Sequence, residues 1–512
     1  MNTKLEIQFR FDKEEWVFSR ETVKFLSVHR TFLILLFVLT VFLFYGNSSP
    51  LVDQDEAAYA GFSRTMVESG DYLRMEFPYS TPHRKPPLHF WTSSFFFKLL
   101  GVSEWVLRFF PALCILGTSL LTYHLTNTMF GSRTALYAFS ILSFSLYFPL
   151  NGKIALVDSL LVFFGMSGFV SLYHWIKSNK KRFVFLFWFS VSLGLLVKGP
   201  PILIFLGGTC ALLLSFNQIR SKIWKLHPFL WLPVATLPLF LWGYFSWQKD
   251  NGALIRWMLD WYIFRRATDP VFGQSGPPGT YLMLFVVTLF PWTRIYLSFL
   301  YENGWKLFAL LKTNGLKIFK NLFPWEWKEM DYTFTPKRFL LLGLVFSWIF
   351  YEGLASKLPS YPLSAYPILS ILLGDQLSRK HNQIYMYRIY LTVALVMLTI
   401  ISFVILPKFA EIRQDTKNLA GIINEYVPKE KTLNSFGAHG IPSFAFYYNR
   451  PIKEISWTEA QTTKGYLIVS DSDYQLWKGM GVHWEPVGEV FSVYAYDRNK
   501  KLNLRLVKTT EP

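Results

Sequence analysis

Apolar and polar residues occur in long separate blocks along this chain. Apolar runs recur from residue 31 onward, and short polar connections separate them. A run of roughly 17–25 apolar residues can cross a bilayer as a helix. The pattern therefore predicts about eleven membrane spans, at residues 31–46, 107–129, 132–150, 156–176, 182–198, 199–216, 228–247, 280–300, 338–354, 361–376 and 386–406.

The polar connections between the predicted spans differ in charge. Four of them are rich in lysine and arginine, at residues 177–182, 217–227, 301–338 and 377–388. Cytosolic loops of membrane proteins carry an excess of these two residue types. If residues 1–30 form a cytosolic tail, eleven spans place all four basic connections in the cytosol. Charge distribution and span count therefore agree.

A long loop at 47–106 follows the first predicted span on the opposite, external side. It contains two predicted amphipathic helices. The first runs from Asp53 to Ser69 and stops at Gly70, a residue typical of helix C-termini. The second begins at two prolines, Pro86 and Pro87, and continues through Phe97.

Two further segments complete the predicted architecture. A second external loop at 248–279 is aromatic and basic. From residue 409 to 512 the composition changes, and short β-like runs at 464–470 and 489–496 predict a small external α/β domain. The expected fold is a polytopic α-helical membrane domain at 31–408, followed by this small domain.

The composition supports a membrane protein and excludes several other classes. Of the 512 residues, 52% are hydrophobic and 17% are charged, whereas an average soluble domain carries about 25% charge. The net charge of +18 is spread between apolar runs, which argues against a nucleic-acid partner. The two cysteines, Cys114 and Cys210, lie in apolar runs and predict buried thiols.

Acidic residues beside the spans are the first candidates for chemistry. Asp53, Asp55 and Glu56 have the spacing of a helix N-terminus closed by a capping box, but a catalytic carboxylate at the membrane surface also fits. Asp158 lies about one turn inside the fourth predicted span, where a lone carboxylate is costly and marks a functional site by default. For Asp158, a structural ion pair with a neighbouring lysine is the alternative.

Basic residues on the same predicted face form the second group. Lys85 precedes two prolines, so a stiff turn presents it. Lys198 and Lys357 stand at proline-containing breaks between apolar runs, and Arg265 and Arg266 lie in the second external loop. The alternative is a solvated loop lysine for Lys85 and a snorkelling side chain for Lys198 and Lys357. The arginine pair could instead simply contact the phosphates of membrane lipids. Because external basic residues run against the positive-inside tendency, we expect them to bind a polyanion such as a lipid phosphate.

Several short motifs follow one another in a recognisable order. They are Asp55-Glu56-x-x-Tyr59-Ala60, Glu68-Ser-Gly-Asp71, Lys85-Pro-Pro-Leu88 with Trp91, Gly101-Val-Ser-Glu-Trp105 with Arg108, Asp158 with Leu160, Lys198-Gly-Pro200, Pro291-Trp292, and Ser356-Lys-Leu-Pro359 with Tyr361. This order resembles the polyprenyl-phosphate-dependent membrane glycosyltransferases of the glycosyltransferase C superfamily. The lipid A aminoarabinose transferases are the nearest members, and the protein O-mannosyltransferases are more distant. The resemblance covers about residues 30 to 410.

The resemblance implies roles for individual residues. Asp55 would be the catalytic aspartate, and Lys85 with the Arg265–Arg266 pair would bind the donor phosphate, close to Tyr361. To these we add Lys357 as a phosphate ligand. A second catalytic candidate, Asp158, would hold the sugar or position a basic residue. The supporting residues are Glu56, Tyr59, Arg84 and Lys198.

Two positions depart from the family pattern, and both concern a metal ion. Family members often carry glutamate immediately before the Lys-Pro-Pro motif, where this chain has Arg84, and histidine before the proline of the eighth span, where it has Gln274. The resemblance implies that those two family residues can hold a metal. Arginine repels a cation and glutamine is a poor ligand, so we expect no metal and no other cofactor. His83 and His89 are the nearby residues that a relocated site would use.

Together these features predict a glycosyltransferase on the periplasmic face of the bacterial inner membrane. It would move a sugar from an undecaprenyl-phosphate-type carrier to lipid A or a related glycolipid, with protein hydroxyls as the alternative acceptor. Its partners would be membrane lipids, the lipid-linked donor and the acceptor, and no nucleic acid. A lipid transporter or flippase would also need polar groups in the membrane. However, the chain has no internal repeat of the kind that such transporters contain.

Overall fold

The computed structural model describes residues 20–80, 84–261, 275–314, 333–436, 441–480, 484–495 and 500–509. Within these residues a bundle of helices is followed by a small mixed sheet. The helices of the bundle are α1 (Arg20–Phe44), α2 (Asp55–Ser69), α3 (Leu88–Leu100), α4 (Glu104–Phe130), α5 (Ser132–Ser143), α6 (Val157–Ser178), α7 (Lys181–Lys198), α8 (Pro201–Leu213), α9 (Asn217–Trp224), α10 (Pro228–Asp250), α11 (Ala253–Leu259), α12 (Thr280–Thr288), α13 (Thr293–Asn314), α14 (Pro336–Leu344), α15 (Ala365–Ser378) and α16 (Gln383–Tyr426).

Each predicted span overlaps a helix, but local capping rather than hydropathy determines where the helix begins and ends. At the start of α4, the Ser103 hydroxyl accepts a hydrogen bond from the Val106 N–H, a typical N-cap. At its end, Gly131 has a φ of 87°, which L-residues rarely adopt, so α5 begins in a new direction.

In the described part of the chain, five helices are long and apolar enough to cross a membrane. They are Ser27–Phe44, Glu104–Phe130, Val157–Ser178, Pro228–Asp250 and Gln383–Tyr426. The chain is therefore a multi-pass membrane protein. The predicted count of eleven spans and the external placement of α2 and α3 stay predictions.

Helix α15 lies at the centre of the bundle, and residues 365–377 are all buried. It packs closely on α5 at Gly374, where a Cβ atom would lie 2.9 Å from the Ala138 backbone nitrogen. Glycine is required here because two helix backbones approach each other. Of the predicted buried thiols, Cys114 is buried and Cys210 is only partly buried.

The predicted boundary between the two domains falls inside a continuous helix. The expected span at 386–406 and the first residues of the expected α/β domain form one element, α16. A π-helical segment at Ile401–Ile405 stands just before Pro407. Proline cannot donate the usual helical hydrogen bond and clashes with the preceding turn, and a wider π turn lets the helix continue past it.

The C-terminal part forms a five-stranded sheet in the order β2-β1-β3-β5-β4. Strand β1 pairs in parallel with β2 and β3, whereas β5 pairs antiparallel with β3 and β4. The β-like run at 464–470 contains β3, and the described residues of the run at 489–496 belong to β4. The elements are β1 (Leu433–Phe436), α17 (Pro442–Tyr448), β2 (Ile452–Glu454), α18 (Trp457–Thr462), β3 (Gly465–Ser470), α19 (Asp471–Gly479), β4 (Trp484–Ala495) and β5 (Lys500–Thr509).

Candidate functional site

Four segments that carry candidate residues meet at one end of the helix bundle. Tyr59 on α2, Val157 on α6 and Val197 on α7 belong to one buried apolar cluster, and Leu88 of α3 packs against it. Each of these residues lies within four positions of a candidate acidic or basic residue. We call this region the site end of the bundle.

Asp55 and Lys85 occupy different environments at the site end. Asp55 is the first residue of α2, and its side chain is exposed. Lys85 is 7% exposed and precedes two buried prolines, so its side chain is largely removed from solvent. A carboxylate open to solvent can meet a water-soluble or headgroup acceptor, whereas a desolvated cation attracts an anion more strongly.

Asp158, Lys198 and Tyr361 form a compact cluster. The Lys198 ammonium nitrogen lies 2.6 Å from Asp158 Oδ1 and 5.7 Å from the centroid of the Tyr361 ring. Asp158 and Tyr361 line the same narrow cavity. The ion pair explains how a carboxylate is tolerated at this end of α6. It is the structural alternative that the sequence left open for Asp158. It also orients a lysine toward an aromatic ring that the resemblance associates with the donor phosphate.

Lys357 is buried, with 7% exposed, in the loop that precedes α15. Its ammonium group donates hydrogen bonds to the carbonyl oxygens of Tyr351 (3.0 Å) and Glu352 (2.6 Å), and it lies 5.5 Å from the Tyr281 ring centroid. These contacts satisfy carbonyl groups at a helix C-terminus. The two hydrogen bonds use two of the three N–H donors of the ammonium group. Lys357 therefore has a structural role in addition to its expected role as a phosphate ligand.

The predicted capping box at Asp53 and Glu56 is wrong. Helix α2 starts at Asp55 with Gln54 as N-cap, and this cap makes no side-chain hydrogen bond. The Asp53 carboxylate instead accepts hydrogen bonds from the backbone and hydroxyl of Ser443, in the C-terminal domain. Charge-assisted contacts from the tertiary structure replace the local pattern that the spacing suggested.

Glu56 forms a buried ion pair with Arg108 of α4. Its Oε1 accepts from Arg108 Nε at 2.7 Å and from the Ala155 N–H at 2.8 Å. Its Oε2 accepts from Arg108 Nη2 at 2.7 Å and from the Val52 N–H at 2.8 Å. The two side chains are 0% and 1% exposed. Glu56 therefore joins three segments of the site end, which makes it a structural support.

Burial and charge shift the pKa of Glu56 in opposite directions. Burial disfavours its ionised form, whereas the charge and hydrogen bonds of Arg108 and two backbone N–H groups favour it, and the net result is a lowered pKa. The other donors of Arg108 reach the backbone carbonyls of Asn47 (2.8 Å), Ser49 (2.6 Å) and Pro50 (3.2 Å). The pair is thus ionised and fully hydrogen-bonded, as a buried ion pair must be to persist.

Lys153 is a further buried cation that the sequence interpretation missed. It binds the Phe42 carbonyl at 2.8 Å, Asn47 Oδ1 at 2.9 Å and the Tyr45 carbonyl, at the C-terminal end of α1. Burial, with a smaller contribution from the charge of Arg108, lowers the pKa of Lys153 to about 7. A lysine in the short polar connection before α6 was its only signal in the sequence.

The remaining supporting residues lie around the turn before α3. Tyr59 is buried, and its ring contacts that of His89 edge-on at 5.3 Å between centroids. His89 is 0% exposed, and neither ring nitrogen has a hydrogen-bond partner among the described residues. Burial lowers the pKa of His89 to about 4, so its imidazole is neutral. Arg84 is half-buried, and burial lowers its pKa, although Glu76 and Asp250 oppose this shift.

The described part of the chain contains no ready ligand set for the metal ion that relatives of this family are expected to hold. No group of three or more His, Cys, Asp or Glu side chains in that part could hold one. Arg84 occupies the position at which the resemblance implies a glutamate. Four candidates, Arg265, Arg266, Gln274 and His83, lie outside the described residues, so the absence of a metal stays a prediction.

Two of the important contacts differ in how much trace they left in the sequence. An arginine such as Arg108 inside an apolar run requires a carboxylate partner, so its pairing with some acidic residue was foreseeable. The partnership of Asp53 with Ser443 joins residues 390 positions apart and had no sequence signal.

Sequence comparisons agree with the motifs. Residues 84–247 match the family model described as dolichyl-phosphate-mannose-protein mannosyltransferase. An uncharacterized protein from Aquifex aeolicus (strain VF5) is 29% identical over 355 residues, which cover 68% of this chain and 64% of that protein. The undecaprenyl phosphate-alpha-4-amino-4-deoxy-L-arabinose arabinosyl transferase 2 of Proteus mirabilis (strain HI4320) is 23% identical over 361 residues, or 67% of this chain and 58% of the relative. The matches thus span less than two thirds of either relative.

Solved structures show the same fold. ArnT from Cupriavidus metallidurans, in a crystal structure with bound undecaprenyl phosphate, aligns over 93% of this chain and 98% of its own, with a TM-score of 0.69 and 16% identity. The archaeal oligosaccharyltransferase AglB from Archaeoglobus fulgidus, in complex with an inhibitory peptide and a dolichol-phosphate, aligns over 88% and 70%, with a TM-score of 0.53 and 12% identity. In its motifs, its relatives and its fold, the chain is similar to the polyprenyl-phosphate-dependent membrane glycosyltransferases of the glycosyltransferase C superfamily, which confirms the resemblance expected from the sequence.

Proposed function

We propose that this protein transfers a sugar from an undecaprenyl-phosphate-type carrier to lipid A or a related glycolipid. The observation that carries the proposal is the meeting of exposed Asp55, buried Lys85 and the Asp158–Lys198 pair at one end of the bundle. The fold around them is that of ArnT, whose crystal structure contains undecaprenyl phosphate.

In the proposed reaction, the bond between the sugar's anomeric carbon and the carrier phosphate breaks while an acceptor oxygen bonds to that carbon. The electron pair of the broken bond leaves with the lipid phosphate, which needs no general acid. Lys85 stabilises the developing phosphate charge, because a cation in a dehydrated site is pre-arranged for it. We assign further contacts with the donor phosphate to Tyr361 and Lys357. The resemblance adds Arg265 and Arg266, which lie outside the described residues.

Asp55 acts on the acceptor. If the acceptor is a hydroxyl, Asp55 orients it and takes its proton as the new bond forms. If the acceptor is a phosphate, as on lipid A, it carries no proton to remove, and Asp55 instead stabilises positive charge developing on the sugar. The Asp158–Lys198 pair holds the sugar. Asp158 also keeps the Lys198 ammonium group directed at the donor, because its Oδ1 already anchors that group at 2.6 Å.

The proposed setting is the bacterial inner membrane, with eleven spans and the site on the periplasmic face. The basic connections between the predicted spans support this orientation. The relatives support a lipid-linked donor, because the Proteus mirabilis protein is named for an undecaprenyl-phosphate-linked sugar.

A protein acceptor is the second candidate. The family model that matches residues 84–247 is described as a protein mannosyltransferase, and this match favours transfer to serine or threonine hydroxyls. A lipid transporter or flippase that performs no chemistry is the third possibility, and it predicts no change in the composition of any acceptor.

The test is an assay of purified full-length protein in vesicles that contain undecaprenyl-phosphate-linked sugar and lipid A. Mass spectrometry of the lipids should detect a sugar-sized mass increase on lipid A, matched by release of undecaprenyl phosphate. The same comparison applies to membranes of cells with and without the gene. A sugar-sized mass increase on membrane proteins, with unchanged lipids, would favour the protein acceptor instead. Movement of the donor without any product would favour the transporter.

A matched pair of variants controls this assay. Asp55→Asn should remove product formation, whereas Glu302→Gln should leave it unchanged. Glu302 pairs at the surface with Lys380, a residue of a basic connection expected on the opposite, cytosolic face. Equal activity of both variants would contradict a catalytic role for Asp55.

A further inference from the structure

The first loop and the C-terminal domain meet through a buried carboxylate. Asp53 is 9% exposed and Ser443 is 1% exposed. Asp53 Oδ1 accepts the backbone N–H of Ser443 at 2.7 Å, and Oδ2 accepts its hydroxyl at 2.5 Å. Both carboxylate oxygens are thus bound by one residue of α17, and Asp53 stands only two positions before Asp55. The C-terminal domain therefore holds the chain where α2 begins.

A second contact holds the other candidate segment of the same loop. The Tyr79 hydroxyl donates to Ser435 Oγ at 2.5 Å, and the Tyr79 N–H donates to Glu454 Oε1 at 3.1 Å. Burial raises the pKa of the Tyr79 phenol, so it remains a donor at neutral pH. Tyr79 has a φ of 62°, uncommon for a bulky residue, and its contacts hold it there. It lies six residues before Lys85.

Apolar packing joins these two contacts into one interface. Phe446 of α17 is 5% exposed and belongs to the same buried cluster as Leu51 and Ala57 of the first loop. At its edges, the Leu51 N–H donates to the Tyr447 hydroxyl oxygen at 2.8 Å, and Arg64 Nη1 donates to the Phe446 carbonyl at 3.0 Å. A buried, hydrogen-bonded interface of this kind transmits position, because close-packed groups have little room to shift.

We propose that the C-terminal domain positions the two candidate site segments, with Ser443 setting Asp55 through Asp53, and Tyr79 setting Lys85. The inference rests on the proposed function, since Asp55 and Lys85 are its reacting groups. Ser443, Asp53 and Tyr79 are positioning residues and touch neither donor nor acceptor in this scheme. A displacement of about 1 Å at a reacting group can cost roughly a hundredfold in rate, so the contacts need not be near the chemistry to matter.

The first experiment compares Ser443→Ala with Ser443→Thr in the full-length protein. Removing the hydroxyl deletes one of the two hydrogen bonds that Ser443 donates to Asp53, so the start of α2 is held less firmly. We expect kcat to fall roughly ten- to a hundredfold with little change in the donor KM, because Tyr79, which positions Lys85, keeps its contacts in this variant. Threonine keeps the hydroxyl and should restore most of the rate. An unchanged kcat in Ser443→Ala, or no rescue by threonine, would overturn the proposal for this contact.

The matched control is Ser456→Ala. Ser456 forms the capping box of α18 with Glu459 in the same domain, and in the described part of the chain its side-chain hydrogen bonds go to Thr458 and Glu459 and none reaches Asp53. Its loss should lower the stability of the domain without lowering kcat. If Ser456→Ala reduced kcat as much as Ser443→Ala does, general destabilisation would explain both, and the positioning role would be refuted.

Tyr79→Phe provides a second variant if Ser443→Ala fails to fold. It deletes only the hydroxyl that reaches Ser435 and should raise the donor KM several-fold more than it lowers kcat, because the phosphate-binding lysine follows it. Loss of kcat with an unchanged donor KM would contradict this assignment.

Hydrogen exchange separates failure of this inference from failure of the proposed function. Exchange at residues 51–60 should increase in Ser443→Ala and remain at the wild-type level in Ser456→Ala, whether or not the protein transfers a sugar. If wild-type protein transfers no sugar but exchange increases as expected, the proposed function fails and the domain contact stands. If exchange at 51–60 is unchanged, the contact does not hold α2, and the inference fails whatever the activity.

Discussion

Replacing Glu56 by glutamine tests whether this carboxylate supports the fold or takes part in the chemistry. The glutamate accepts four hydrogen bonds, two of them from Arg108, and both side chains are fully buried. A glutamine can place its oxygen on only one side. Its NH2 group then faces either the Ala155 or the Val52 N–H together with a guanidinium N–H, so donors oppose donors.

The expected cost is large because Arg108 stays charged in a site that water does not reach. Removing one partner of a buried ion pair costs about 3–5 kcal/mol of folding free energy. A matched control is Glu302→Gln, which disrupts a Glu–Lys pair whose side chains are 41% and 38% exposed. Exposed pairs contribute about 0–1 kcal/mol, so this variant should unfold close to the wild-type temperature.

The assay is thermal unfolding of detergent-purified protein, with sugar transfer measured on the fraction that remains folded. Glu56→Gln should lower the Tm by several degrees, while folded molecules keep their transfer rate. An unchanged Tm combined with lost transfer would refute the structural role and place Glu56 among the reacting groups.

The pH dependence of stability provides an independent check. The folded pKa of Glu56 lies below its ordinary value of 4.5. A carboxyl group with a lowered folded pKa stabilises the protein fully above its unfolded pKa and loses that contribution as the pH falls through the folded pKa. The wild-type Tm should therefore decline below about pH 4.5, and Glu56→Gln should lack this part of the decline. Parallel declines in both proteins would contradict the reasoning.

Four further outcomes are expected. Asp55→Asn should abolish transfer and leave membrane insertion and Tm unchanged, since its side chain is exposed; near-normal turnover would assign it no catalytic role. Lys85→Ala should raise the donor KM roughly tenfold or more, whereas the exposed Lys98→Ala should not, as donor titrations can measure. Transfer should survive EDTA, because an arginine precedes the Lys-Pro-Pro motif; zinc-restored activity after chelation would contradict this. Gly374→Ala should cost about 1–3 kcal/mol, visible as a lower Tm, because its Cβ would meet the Ala138 backbone.

Much of the helical bundle could be predicted because lipid and core burial impose a simple demand. Every backbone group inside a membrane must be bonded within its own helix, so long apolar runs have one regular solution. The expected spans at 107–129 and 156–176 are the helices Glu104–Phe130 and Val157–Ser178, with ends moved by caps. The pairing of Asp158 was also foreseeable, because an intramembrane carboxylate requires a cation.

Local rules failed where a tertiary partner competed with them. The spacing of Asp53 and Glu56 fits a capping box, a local arrangement worth about 1 kcal/mol. Ser443 and Arg108 offer these carboxylates buried, charge-assisted hydrogen bonds instead. The same competition explains α16, which continues through the predicted domain boundary because a π turn accommodates the proline that should have ended it.

The sequence by itself determined which segments are helical and apolar, and which charged residues lie at their ends, because these properties follow from local periodicity and composition. Only the tertiary structure decided which partner each of those charged residues contacts. Lys198 contacts Asp158 at a separation of 40 residues along the chain, Arg108 contacts Glu56 at 52, and Ser443 contacts Asp53 at 390. Such contacts depend on how helices and domains pack in space, and packing between distant segments leaves no periodic signal along the chain.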